Sequence, residues 1–86
     1  MECRVIIPRG VQKRLDDLPE AVGERVLNRI LALRANPRPF GCVKLEGYEQ
    51  EYRIRIGDYR VRYAIHDRES TVALVHCGHR KDAYRE

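Results

Sequence analysis

No apolar run in the chain approaches the roughly 20 residues that a membrane-spanning helix needs. The opening stretch, Met1-Glu2-Cys3-Arg4-Val5-Ile6-Ile7-Pro8, is too short for the hydrophobic region of a signal peptide. The pattern excludes a helical membrane protein and makes the cytoplasm the expected compartment. Internal repeats, low-complexity tracts and linkers are also missing, and 86 residues leave room for one domain, residues 1–86, rather than two. Cysteine is scarce: Cys3, Cys42 and Cys77 are odd in number, more than thirty residues apart, and form no Cys-x-x-Cys pair. A disulfide framework is therefore not expected, and reduced, mostly buried thiols are. There is no glycine-rich phosphate loop, no Gly-x-Ser-x-Gly elbow and no His-Glu-x-x-His motif. His76-Cys77-Gly78-His79 invites a metal reading, but neighbouring residues on a strand point to opposite faces and a third ligand is not evident, so neither metal nor cofactor is expected.

Lysine is scarce too. Of 17 basic residues only Lys13, Lys44 and Lys81 are lysines, which leaves 17 − 3 = 14 arginines, against 13 acidic residues and a net charge of +4. A surface charged only for solubility would use lysine as readily. Arginine's planar, permanently protonated fork is suited to bidentate phosphate binding, which makes a polyanionic partner plausible.

The apolar pattern divides the chain in two. Residues 3–7 are short, β-branched and stopped by Pro8, as a first strand would be. Between Pro8 and Pro19, Val11, Leu15 and Leu18 recur on one helical face. After Pro19 a longer stripe through Val22, Val26, Ile30 and Leu33 predicts a second helix of about four turns at 3.6 residues per turn, running until Asn36-Pro37. The breaker cluster at residues 36–41 then marks a change of period from 3.6 to 2. Residues 42–45 can form a brief strand. Tyr52, Ile54 and Ile56 alternate with Arg53 and Arg55; Tyr59, Val61, Tyr63 and Ile65 alternate with Arg60, Arg62, Ala64 and His66. Gly57-Asp58 suits a two-residue hairpin turn between these runs. Residues 71–77 are apolar on both faces, as in the middle of a sheet. The fold class is α+β: a βαα start followed by about three to four strands in a mainly antiparallel sheet, with two helices packed on one face.

With Gly57-Asp58 as the turn, Ile56 meets Tyr59, Ile54 meets Val61 and Tyr52 meets Tyr63 on the core face. The same register sets Arg55 against Arg60 and Arg53 against Arg62 on the other face, with opposed Cβ atoms about 4.5 to 5.5 Å apart. Like charges so placed repel, which suits an external anion; the alternative is a solvated face whose arginines splay or pair with Glu49, Glu51 and other acids. The end of the chain, residues 78–85, adds His79, Arg80, Lys81 and Tyr84. Cleaving RNA through its own 2′-hydroxyl needs a proton acceptor there, positive charge on the phosphate and a proton donor to the leaving 5′-oxygen. Arg53, Arg55, Arg60, Arg80, His79 and Tyr84 could together supply all three.

The βαα start, the paired-strand segment of residues 52–63 and the ending Gly78-His79-Arg80-Lys81-Asp82-Ala83-Tyr84 resemble the RelE/ParE superfamily, the toxins of bacterial and archaeal toxin-antitoxin pairs. RelE toxins sit in the ribosomal A site and cut the mRNA there. The resemblance implies Arg53, Arg55, Arg60, Arg80 and Tyr84 as the catalytic set; Arg62, His79 and Lys81, read from the same basic segments, are expected as further RNA-binding residues. It also implies a cognate antitoxin, smaller and acidic or amphipathic, that wraps the toxin. In the best-known RelE pattern the two strand positions are lysines, whereas both are arginines here. Arginine does not deprotonate near neutral pH, which would confine Arg53 and Arg55 to phosphate binding and charge stabilisation and leave proton abstraction to Tyr84 or His79. The ParE branch acts on DNA gyrase, shares the fold and generally lacks the Arg/Tyr set. A gyrase inhibitor and a non-catalytic RNA-binding module are therefore the alternatives to a ribosome-dependent endonuclease.

Overall fold

The computed structural model describes residues 2–79. Strand β1 (Arg4–Ile6) leads through Pro8 into helix α1 (Arg9–Asp16), and Pro19 opens helix α2 (Glu20–Ala32). Proline fits both helix starts because its missing N–H has no intrahelical acceptor there and its φ is already close to helical. α1 buries Val11 and Leu15, and α2 buries Val26 and Ile30 with Leu33 just beyond its end. α2 stops at Ala32, short of the Asn36-Pro37 breaker expected to end it. Leu33, Arg34 and Ala35 bond back to Ile30, Leu31 and Ala32 at i→i−3 spacing, a 3₁₀ tightening of the last turn that satisfies orphan carbonyls. The Arg34 carbonyl also accepts the Cys3 N–H at 2.7 Å, which ties the start of β1 to the end of the helix.

Four strands follow: β2 (Val43–Lys44), β3 (Glu51–Ile56), β4 (Tyr59–His66) and β5 (Thr71–His79), the last two joined through a 3₁₀ turn, Asp67–Glu69. The sheet order is β1-β5-β4-β3-β2, with β1 parallel to β5 and every other pair antiparallel. The β3–β4 register is the one expected from the alternation, Ile56 opposite Tyr59 through Arg53 opposite Arg62. Gly57 has φ +61°, and Asp58 stays in ordinary backbone space, which is the II′ pattern that matches hairpin twist.

The last strand departs from expectation. It runs on to His79, and its register against β4 shifts between Arg62 and Tyr63, so that Arg62 faces His76 while Tyr63 faces Leu74. The extra residue, Val75, is 43% exposed, whereas Leu74 and Cys77 on either side of the bulge are buried. Bulging lets both Leu74 and Cys77 face the helices although they are three residues apart. Val5, Ile54, Ile56, Val61, Tyr63, Ile65 and Val72 complete that face. Tyr63 is fully buried, and its hydroxyl donates to the Pro37 carbonyl at 2.8 Å, so the segment leaving α2 is pinned to the middle of the sheet. Burial pushes its phenol pKa far above the usual value. The cysteines are free thiols, Cys77 buried and Cys3 and Cys42 partly so; desolvation raises the Cys77 pKa and suppresses the reactive thiolate. No helix among the described residues is long and apolar enough to cross a membrane, and no cluster of metal-ligating side chains occurs among them.

Candidate nucleic-acid interface

Both helices pack on one face of the sheet, which places the odd-numbered residues of β3 and the even-numbered residues of β4 on the opposite, open face. Two rungs cross that face. One reads Gly78, Arg60, Arg55 from β5 to β3; the next reads His76, Arg62, Arg53 and ends at Val43 on β2. Arg55 is exposed, and Arg53, Arg60 and Arg62 are half-buried. The hairpin thus packs four guanidinium groups into two adjacent rungs, where repulsion falls off slowly because one side of each group is protein rather than water.

Arg62 is matched to an acid. Glu51 stands on the next rung of the same face, opposite Ala64, and its carboxylate accepts from the Arg62 guanidinium at 2.5 Å. The Arg62 guanidinium also lies over the Tyr48 ring, 5.2 Å from its centroid. The Glu51 hydrogen bond raises the Arg62 pKa further. Arg53 and Arg55, by contrast, form no ion pair or side-chain hydrogen bond among the described residues, and Arg53 Nε is shielded from solvent without a partner. Burying a charged donor unpaired is costly, and a phosphate oxygen is the acceptor that a guanidinium fork fits.

The expected site residues do not all gather here. Arg53, Arg55, Arg60 and Arg62 share the open face. His79 does not: opposite Tyr59, it turns to the helix side, where the two rings meet edge to face with centroids 5.3 Å apart beside Arg14, Asp17 and Leu18. Arg80, Lys81 and Tyr84 lie outside the described residues. His76, considered above only as a metal ligand, is the imidazole that joins the arginine rungs. Gly78 makes room for it, since a Cβ at that position would sit 2.8 Å from His76 Nε2. Alternation counted from Gly78 would have placed His76 correctly, but a run apolar on both faces gave no reason to fix the phase. A second cluster was also missed. Arg38, from the breaker segment, donates twice to Asp67 (2.9 and 3.2 Å), donates through Nε to the Tyr52 hydroxyl and lies 5.3 Å from the Tyr52 ring centroid. Its guanidinium holds the Asp67 carboxyl below the usual carboxylate range. This cluster fastens the loop after α2 to β3 and to the β4–β5 turn, and nothing in the local sequence links those three segments.

A five-stranded, mostly antiparallel sheet with two helices on one face is the fold that this chain shares with solved toxin structures. Residues 5–84 match the family described as ParE toxin of type II toxin-antitoxin system, parDE. A Methanocaldococcus jannaschii protein that carries the name 'Putative toxin RelE1' is 32% identical over 88 residues, covering 99% of this chain and 98% of that protein. The archaeal RelE-RelB complex from Pyrococcus horikoshii OT3 contains a chain that superposes with a TM-score of 0.82 at 35% identity, covering 93% of this chain and 97% of that one. The free-state structure of a substituted E. coli toxin RelE gives a TM-score of 0.80 at 22% identity, covering 100% and 94%, a likeness of fold. The chain belongs to the RelE/ParE superfamily of type II toxin-antitoxin toxins.

Proposed function

We propose that the chain is a ribosome-dependent mRNA endonuclease of the RelE kind, acting in the cytoplasm and needing no metal or cofactor. The observation that carries this reading is the pair Arg53 and Arg55, held side by side on an open sheet face with no acidic partner among the described residues, Arg55 across from Arg60. Their role is to bind the scissile phosphate and stabilise the charge that builds on its oxygens in the transition state. The 2′-hydroxyl loses its proton to Tyr84 and attacks the adjacent phosphorus. The P–O5′ bond breaks, and the departing oxygen, its charge stabilised by Arg80, takes a proton from solvent. The products are a 2′,3′-cyclic phosphate and a 5′-hydroxyl, and no water molecule is added across the bond. His79, turned towards Tyr59 on the helix side, is not needed as the base. The RelE structures solved with RelB support a cognate antitoxin for this chain as well; an acidic segment lying on the arginine face would silence it.

The ParE description of the matching family favours a second reading, inhibition of DNA gyrase. Inducing the chain in a bacterial host and mapping mRNA 5′ ends separates the two. New 5′-hydroxyl ends inside reading frames, lost with Arg53→Ala/Arg55→Ala, are expected. DNA breaks with intact mRNA would transfer the assignment to gyrase.

A further inference from the structure

The arginine face ends, on the Glu51 side, at an exposed aromatic ring. Tyr48 belongs to the connection between β2 and β3 and is 50% exposed although it is a large apolar side chain. Only Arg62 engages its ring in the described contacts, and Arg62 sits directly across from Arg53 in the hairpin register. Residues 44–49 curl around a surface cavity of about 410 Å³, lined by Lys44, Leu45, Glu46, Gly47, Tyr48 and Glu49. The order of chemistry along this line is phosphate-binding guanidinium, guanidinium stacked on a phenol, then a shallow cavity whose acids Glu46 and Glu49 repel phosphate but accept from an exocyclic amino group.

We infer that Tyr48 is a nucleobase-stacking platform: a base of the single-stranded RNA whose phosphates lie on Arg53 and Arg55 stacks on the Tyr48 ring at the mouth of this cavity. The inference rests on the endonuclease reading for its ligand but not for its chemistry, because stacking needs only an exposed π-face beside a cationic track. Arg62 contributes by fixing the ring. Its guanidinium is already committed to Glu51, so its cation–π contact orients Tyr48 rather than competing for phosphate. Glu46 and Glu49 select the uncharged part of the nucleotide for the cavity, and Arg53 and Arg55 take the charged part.

The test is a binding cycle in which no cleavage is required. Affinities of the parental chain, Tyr48→Leu and Tyr48→Phe are measured at low ionic strength for a labelled oligoadenylate and for an abasic ribose-phosphate oligomer of equal length and charge. The parental chain and Tyr48→Phe should prefer oligoadenylate by about 5-fold to 100-fold, the range for one stacked base. Tyr48→Leu should lose most of that preference while holding the abasic oligomer as before. The chain has no tryptophan, so Tyr48→Trp adds a single reporter whose emission should be quenched by oligoadenylate and not by the abasic oligomer. An unchanged preference in Tyr48→Leu, or equal weakening towards both oligomers, would reduce Tyr48 to a support for Arg62 and overturn the proposal. So would a Tyr48→Leu chain that binds RNA normally but loses affinity for its antitoxin, which would make the ring a protein-docking residue. If neither oligomer binds the parental chain, the arginine-face reading fails and takes this one with it; if both bind equally well, only the stacking site fails.

Discussion

The two faces of the sheet are built from the same strands, residue by residue in alternation, yet they obey opposite rules. On the covered face, Ile54, Ile56, Val61, Tyr63 and Ile65 meet Val26 and Ile30 of α2 and Leu15 of α1, and every one of these is buried. The buried Tyr63 hydroxyl on this face has its acceptor in the Pro37 carbonyl. On the open face, like charges stand opposite one another; Arg62 has Glu51, while Arg53 and Arg55 form no ion pair among the described residues. A strand pair selected for stability alone would not keep Arg53 and Arg55 there. The covered face supplies the stability on which the strained face is carried, and so substitutions on the two faces should separate stability from activity.

The largest effect is expected on the covered face. Ile30→Ala removes a fully buried side chain and should cost about 2–5 kcal/mol by denaturant unfolding. Cleavage per folded molecule should be little changed, because no open-face group moves. Next, Tyr84→Phe should lower single-turnover cleavage on programmed ribosomes by a factor on the order of 10² with stability and ribosome binding intact; His79→Ala, on the helix side, should not. The reverse pattern would move the proton acceptor to His79 and erase the division between the faces at the end of β5. Tyr63→Phe leaves the Pro37 carbonyl without its donor and should cost about 0.5–1.5 kcal/mol, measured as a shift in urea midpoint. The smallest effect concerns the edge cluster. Asp67, paired with Arg38, has a lowered pKa in the folded chain, so its contribution is present above the unfolded carboxylate value, about 3.9, and is lost as pH falls through the lower folded value. Tm profiles of the parental chain and Asp67→Asn should therefore differ near neutrality and converge below about pH 4.

How much of this was legible in the sequence follows the same division. The hairpin register could be read because alternation is strict through residues 52–56 and 59–65 and Gly57-Asp58 leaves only two residues for the turn, so one phase fits both runs. The four arginines on the open face follow from that alone. β5 could not be phased because it is apolar on both faces, and its bulge at Val75 resets the alternation. That hid His76 among the arginines and sent His79 to the helix side. The Glu51–Arg62 pair was foreseeable as a class of contact but not as a particular partner, and the Arg38–Tyr52–Asp67 cluster joins residues up to 29 apart across three loops and strands. Such contacts are products of tertiary geometry, not of local pattern.

The central claim is that Arg53 and Arg55 are kept unpaired for phosphate. Its most direct test is the salt dependence of RNA affinity in Arg53→Ala/Arg55→Ala, measured together with unfolding stability. Each phosphate contact on a single strand contributes a slope of about −0.7 in log affinity against log salt, so losing two should make the slope shallower by about 1.4. Stability should stay level or rise slightly as like-charge repulsion is relieved. An unchanged slope with full affinity, or a marked loss of stability, would show the open face to be an ordinary solvated surface and would contradict the account.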